Sequence, residues 1–302
     1  MRLGEGEGCR LHGGGILKPV ILGVSGLRLL DGERALLREH APRGVILFGR
    51  NIQDKAQLAE LTAELRAALP GAAVLMVDQE GGRVARLRPP HWPALGAAGD
   101  LKTEEEAYAH GRALGAMVRA AGFDVAAAPV LDLRYPGASD VIGDRAISGG
   151  PEVVAALGGR IAEGILAEGV IPVMKHLPGH GRALVDSHFA LPRVAAGDLS
   201  ADFLPFARNK TLPWAMTAHV IYEQYDPGFP ATVSVKVIKD IIRGEIGFKG
   251  TLISDDLAMQ ALSGAPDERA LAALAAGCDI ALYCPGDMAG NVAVLEAVGH
   301  ER

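Results

Sequence analysis

Eight short apolar runs recur along the chain, each followed by a longer amphipathic stretch, and this alternation restricts the fold more than any other feature. The runs are Val20–Val24, Gly44–Phe48, Val74–Val77, Val125–Leu131, Ile171–Met174, Trp214–Thr217, Thr251–Ile253 and Asp279–Tyr283. They are rich in Val, Ile and Leu and mostly lack a strict polar alternation, as strands buried on both faces do. The stretches between them carry helix signals. Asp54 precedes an apolar-periodic segment that ends at Pro70, Thr103-Glu104-Glu105-Glu106 puts acids where a helix dipole favours them, and Pro151 stands at a first helical position. The helices read Glu33–Glu39, Asp54–Leu69, Thr103–Ala121, Pro151–Glu168, Ser200–Asn209, Ser234–Gly244, Asp267–Gly277 and Asp287–Val298. Eight strands alternating with eight helices predict an α/β fold, a single (β/α)8 TIM barrel over residues 16–302, and the length of 302 residues suits one such barrel. A dinucleotide-binding sheet would need a glycine fingerprint after its first strand. The chain has Gly23-Val24-Ser25-Gly26 there, which does not match.

Composition narrows the partners. A net charge of -6 and 5% aromatic residues disfavour nucleic acid and anionic membrane surfaces. Cys9, Cys278 and Cys284 form no disulfide framework, and the last two read as small core residues. Residues 1–15 are glycine-rich without an apolar signal core and read as a disordered lead-in, and no apolar run has transmembrane length. A cytoplasmic, monomeric protein is the expectation.

Barrel enzymes place their chemistry where the strands end at the carboxyl face. At those points the chain carries Arg50-Asn51, Asp78 through Arg83 with Arg86 beyond, Asp132, Asp144-Arg145, Lys175-His176, His219 and Asp255-Asp256. One or two would fit a structural network, but six polar strand ends on one rim point to a site. The loop Lys175-His176-Leu177-Pro178-Gly179-His180-Gly181, followed by Asp186-Ser187-His188, is the most informative stretch. Asp186 and His188 stand two apart, so on an extended loop the carboxylate can fix the imidazole as an acid or base. A zinc reading is weak: no His-x-His follows the first strand, and His176 and His180 are separated by Pro178. Neither a metal nor another cofactor is expected. Lys175 leaves open a Schiff-base aldolase. The rim acids and cations otherwise suit a hydroxyl-rich ligand, with Asp78 accepting and Arg86, Arg145, Lys175 and His176 donating.

Seven segments also resemble glycoside hydrolase family 3, and within it the single-domain β-N-acetylglucosaminidases of bacterial peptidoglycan recycling. They are Gly44–Asn51, Val77–Val84, Ala128–Asp132, Val141–Arg145, Lys175–Gly181 with Asp186-Ser187-His188, Met216–His219 and Ile253–Met259, in the family's order. The resemblance implies Asp255 as nucleophile, His188 as general acid/base with Asp186 as its partner, and Asp78, Arg86, Arg145, Lys175 and His176 as the residues that hold the sugar. It implies a retaining exo-enzyme acting on peptidoglycan-derived muropeptides. Leu177, Ser187 and Ala258 depart from the usual Phe, Thr and Ser without removing a catalytic group. A β-glucosidase of the same fold is the nearest alternative. Asp256 reads as a residue that orients the turn and does not attack.

Overall fold

The computed structural model describes residues 17–185 and 191–299. The reading of residues 1–15 as a lead-in, and the Asp186/His188 pair, lie outside these residues.

Eight parallel strands form one sheet: β1 (Lys18–Gly23), β2 (Pro42–Leu47), β3 (Val74–Val77), β4 (Val125–Ala126), β5 (Ile171–Leu177), β6 (Trp214–Thr217), β7 (Thr251–Ile253) and β8 (Ala281–Tyr283). β8 pairs with β1, Val20 opposite Ala281. At the other edge, a parallel bridge between Ile253 and Ile280 and a 3.0 Å bond from Ser254 N to Ile280 O join β7 to β8. The ring is therefore closed into a (β/α)8 barrel, which removes both sheet edges.

The missing alternation now has its cause. Ile21, Ile46, Met76, Val125, Val173, Trp214, Met216, Ile253 and Leu282 fill the barrel interior. Their neighbours Val20, Leu22, Val45, Leu75 and Leu252 pack outward against the helices. Side chains alternate faces with period two, but both faces are dry, so both carry apolar residues.

The helices are α1 (Asp31–His40), α2 (Lys55–Ala68), α3 (Glu104–Ala120), α4 (Pro151–Ala167), α5 (Ser200–Arg208), α6 (Val237–Glu245), α7 (Pro266–Ala276) and α8 (Met288–Ala297). Three start on side-chain caps. Asp54 accepts from Gln57 N, Thr103 from Glu106 N, and Asp287 from Gly290 N. Helix α6 is wound with i→i+5 bonding, closing on Ile246 N to Ile241 O at 2.8 Å.

Helices α3 and α4 meet through glycines. A Cβ on Gly111 would lie 2.1 Å from Ile161 O, and one on Gly164 would lie 2.4 Å from Tyr108 O. No side chain can yield there, because the obstacle is backbone. Gly164→Val is expected to lower stability by about 3 kcal/mol through overpacking. A urea unfolding midpoint equal to that of the unsubstituted protein would contradict this account of the contact.

Two elements differ from the sequence expectation. The fourth run, Val125–Leu131, is a strand only over Val125–Ala126. Pro129 has no N–H to give a ladder, and pairing resumes as a single bridge between Val130 and Lys175. The fifth strand is longer than Ile171–Met174 and includes Lys175 and His176, with a cis peptide between them. A short parallel pair, 193–194 with 221–222, was not foreseen, because two-residue segments carry no periodicity.

Candidate active site

A cavity of about 250 Å³ opens at the carboxyl ends of the barrel strands, and Asp78, Arg86, Arg145, Lys175, His176 and Asp255 all line it. These residues come from the ends of β3, β5 and β7 and from two loops, so closure of the barrel is what brings them together. Phe48, Met216, Leu282 and Cys284 supply the apolar part of the wall.

The acids and cations form one cluster. Lys175 Nζ donates to Asp78 Oδ1 at 2.8 Å, and Arg86 Nη2 donates to Asp78 Oδ2 at 2.7 Å. Lys175 Nζ also lies 2.5 Å from Glu80 Oε1. Arg145 grips Glu80 with two bonds, Nε to Oε2 and Nη2 to Oε1, each 2.8 Å. Burial pushes the Asp78 carboxyl up, but Lys175 and Arg86 more than offset this and hold it far below the usual carboxylate range. Burial alone would lower the Lys175 ammonium. Asp78 and Glu80 reverse that, so Lys175 stays firmly protonated. A lysine held as ammonium is a poor amine nucleophile, which disfavours the aldolase reading.

The turn after β3 explains how Arg86 returns over Asp78. Gly81 and Gly82 have φ values of 101° and 54°, a region that L side chains rarely occupy. The reversal lets Gln79 Oε1 accept from Arg86 N at 2.7 Å and Leu87 N at 3.0 Å. Arg83 ties the neighbouring loop down through Asp144 Oδ1 at 2.7 Å and the carbonyls of Asp140, Val141 and Ile142.

His176 and His180 share a buried acceptor. His176 Nδ1 lies 2.6 Å from Asp132 Oδ2, and Asp132 Oδ1 accepts from His180 N at 2.6 Å. Asp132 thereby orients the His176 ring and holds a proton on its Nδ1. Asp255 is the acid at the end of β7, with Oδ1 accepting from Asp256 N at 2.8 Å. Burial raises its carboxyl, yet His219, His176, the Asp256 amide and Lys175 outweigh burial and the net shift is downward. Asp256 points elsewhere. Its Oδ1 accepts from Ala258 N and Cys284 N, both at 3.0 Å, which is the orienting role expected of it.

Arg50 and Asn51 stood among the polar strand ends but serve the scaffold. Arg50 donates to the carbonyls of Val24 and Cys284, and Asn51 Nδ2 donates to Val24 O and Gly26 O at 3.0 and 2.9 Å. Glu80 and Asp132 stood among the polar strand ends in the sequence but were given no role in the site. A signal for Glu80 existed: it lies two residues after Asp78, so a local extended path presents both to one side. Among the described residues no group of three or more His, Cys, Asp or Glu is arranged to hold a metal ion. Among them, also, no helix is long and apolar enough to cross a membrane.

Three buried imidazoles make the fold acid-sensitive. Burial, with His176 beside it, lowers His180 to about 4, and burial also lowers His110 and His219. A histidine depressed in the folded state binds its proton later than the unfolded chain does. Its stabilisation is complete above the unfolded pKa near 6.5 and is lost as pH falls from there toward 4. His180 alone corresponds to roughly 3 kcal/mol across that window. The depressed carboxylates Asp78, Glu80, Asp132 and Asp255 have the same sign but act at lower pH, as the solution approaches their lowered values. Urea titrations at pH 7, 5.5 and 4.5 are expected to show falling stability, with a shallower fall in His110→Gln. A flat profile would sink the argument.

The closed barrel brings an acid, an imidazole and a charged cluster together at one cavity, as barrel enzymes do. Residues 19–300 match the glycosyl hydrolase family 3 N-terminal domain. The chain belongs to glycosyl hydrolase family 3 and is a glycoside hydrolase. It is 43% identical over 274 residues to the β-hexosaminidase of Pseudomonas aeruginosa (strain LESB58), covering 88% of this chain and 82% of that protein. The structure is similar to that of NagZ from Neisseria gonorrhoeae in complex with N-trifluoroacetyl-D-glucosamine, with a TM-score of 0.87 and 35% identity. That match covers 95% of this chain and 87% of the other. A family 3 β-N-acetylglucosaminidase from Paenibacillus sp. str. FPU-7 gives a TM-score of 0.85 and 35% identity. It covers 92% of this chain and 56% of that one.

Proposed function

We propose that this chain is a retaining exo-β-N-acetylglucosaminidase. The observation that carries the reading is Asp255 at the end of β7, its Oδ1 held by the Asp256 amide, in the same cavity as the Asp78–Arg86–Lys175 cluster. The relatives named β-hexosaminidase, and the neighbour holding an N-acylated glucosamine, support the sugar class. In this reading Asp78 accepts from sugar hydroxyls and Arg86, Arg145 and Lys175 donate to them, with His176 adding a bond at its free ring nitrogen.

Asp255 attacks the anomeric carbon, and the bond to the leaving oxygen breaks as His188 gives that oxygen a proton. Asp186 orients His188. Water then attacks the anomeric carbon of the covalent glycosyl-enzyme, passes its proton to His188, and releases Asp255 and the sugar with net retention. The roles of Asp186 and His188 rest on the sequence resemblance, since both lie outside the described residues. The natural substrate is, in the same reading, a muropeptide with a non-reducing terminal N-acetylglucosamine, processed by a cytoplasmic monomer whose catalytic domain spans residues 16–302.

The test is hydrolysis of 4-nitrophenyl N-acetyl-β-D-glucosaminide beside the matching β-glucoside. Turnover of the acetamido sugar alone is expected. Equal turnover of both would keep the family and discard the specificity.

A further inference from the structure

His219 stood at a strand end in the sequence, and the proposed reaction does not use it. It is fully buried and not among the residues of the cavity wall. Its ring is fixed at both nitrogens. Nε2 lies 2.9 Å from Asp256 O, and Nδ1 lies 2.7 Å from Thr232 Oγ1. Thr232 Oγ1 in turn lies 2.8 Å from Thr217 Oγ1 and 3.1 Å from Ala218 O.

With the ring neutral, one proton arrangement serves both of its nitrogens. A ring nitrogen 2.9 Å from a carbonyl oxygen must carry a proton, so Nε2 is N–H. Burial keeps the imidazole neutral, so Nδ1 is a lone pair and needs a donor. Thr232 supplies its single hydroxyl proton to Nδ1, and Thr217 donates to Thr232. Ala218 O is a competing acceptor that the Thr232 proton does not serve in this arrangement. The chain of donors thus runs Thr217, Thr232, His219, Asp256 O.

Its end point matters because the Asp256 unit holds the neighbouring acid. Asp256 N donates to Asp255 Oδ1 at 2.8 Å, and the Asp256 side chain accepts from Ala258 N and Cys284 N. The donor chain fixes the carbonyl of the same residue. With the backbone on both sides of Asp256 anchored, its N–H stays aimed at one carboxylate oxygen of Asp255 and the other oxygen is left to attack.

We propose that His219, locked as the Nε2–H tautomer by Thr232 and Thr217, is a positioning residue for Asp255. The proposal rests on Asp255 being the nucleophile. Because His219 lies apart from the sugar-binding cluster, loss of the donor chain acts on kcat and spares KM. Misplacement of a reacting group by about 1 Å costs up to about 10²-fold. Thr232→Val is expected to lower kcat about 10- to 100-fold on the 4-nitrophenyl acetamido sugar, with KM within about twofold. Thr232→Ser, which keeps the hydroxyl, restores the rate. His219→Gln keeps an N–H in reach of Asp256 O and retains most of the kcat that His219→Ala loses. Ring ¹⁵N shifts of the unsubstituted protein are expected to report the Nε2–H form.

An Nδ1–H tautomer, a Thr232→Val rate within twofold of the original, or a Thr232→Ser enzyme as slow as Thr232→Val would each overturn the proposal. Parallel changes in KM would do the same. Urea unfolding of each variant separates lost rate from lost fold, and His219→Gln decides the matter if Thr232→Val does not fold. An active Asp255→Ala enzyme would instead remove the nucleophile reading itself.

Discussion

Asp255→Ala is expected to lower kcat/KM on the 4-nitrophenyl acetamido sugar by at least about 10⁴-fold, while Asp256→Asn costs about tenfold. The two acids are adjacent in sequence, and their contacts separate them. Asp255 Oδ1 accepts from the Asp256 amide, and the carboxylate lines the cavity with a net downward shift despite its burial. The Asp256 carboxyl is pushed up by burial and spends Oδ1 on the amides of Ala258 and Cys284. An Asn keeps an oxygen for those two amides, so the turn survives the change. Steady-state kinetics of the two variants under identical conditions decides between the roles, and equal losses would mean that Asp255 is not the attacking group.

The second large effect falls on stability. Lys175→Met leaves Asp78 without its bond at Oδ1 and removes one of the two cations on Glu80. Breaking a buried ionic contact by deleting one partner costs about 3–5 kcal/mol, because the other charge remains buried. Glu80→Gln in the same chain removes the other carboxylate that Lys175 neutralises, so the double variant is expected to lose less than the sum of the two single losses. Lys175 is raised, so its contribution is complete below the unfolded lysine pKa and is lost as pH climbs through the folded value. Asp78 and Glu80 are depressed, so theirs is complete above the unfolded carboxylate range and is lost in acid. The cluster therefore stabilises fully at neutral pH, where the urea midpoints are to be compared. Additive losses in the double variant would show that the two groups do not interact.

The barrel was legible in the sequence because its strands announce themselves twice. Ile21 and Val20, or Ile46 and Val45, are neighbours that face opposite sides, and both sides are dry. That leaves a continuous apolar run bounded by caps such as Asp54 and Thr103, whose side chains do accept the helix amides. The residues at the cavity were also legible, since a charged or imidazole group directly after such a run has few places to go but the rim.

Adjacency in sequence could not tell which of those groups serve the cavity. Arg50 and Asn51 follow β2 within one short turn, yet they bond the carbonyls of Val24, Gly26 and Cys284. Glu80 matters because Arg145, sixty-five positions away, closes on it with two bonds, and Asp132 because His176 and His180 converge there. Run spacing and residue type are local properties, and they fixed the fold class, the rim and the chemistry available on it. Partner choice depends on distances across a closed ring, where a hydrogen bond requires an approach of about 3 Å. Only the tertiary structure, by bending β1 round to β8, decided which acid would meet which cation and which would remain facing the cavity.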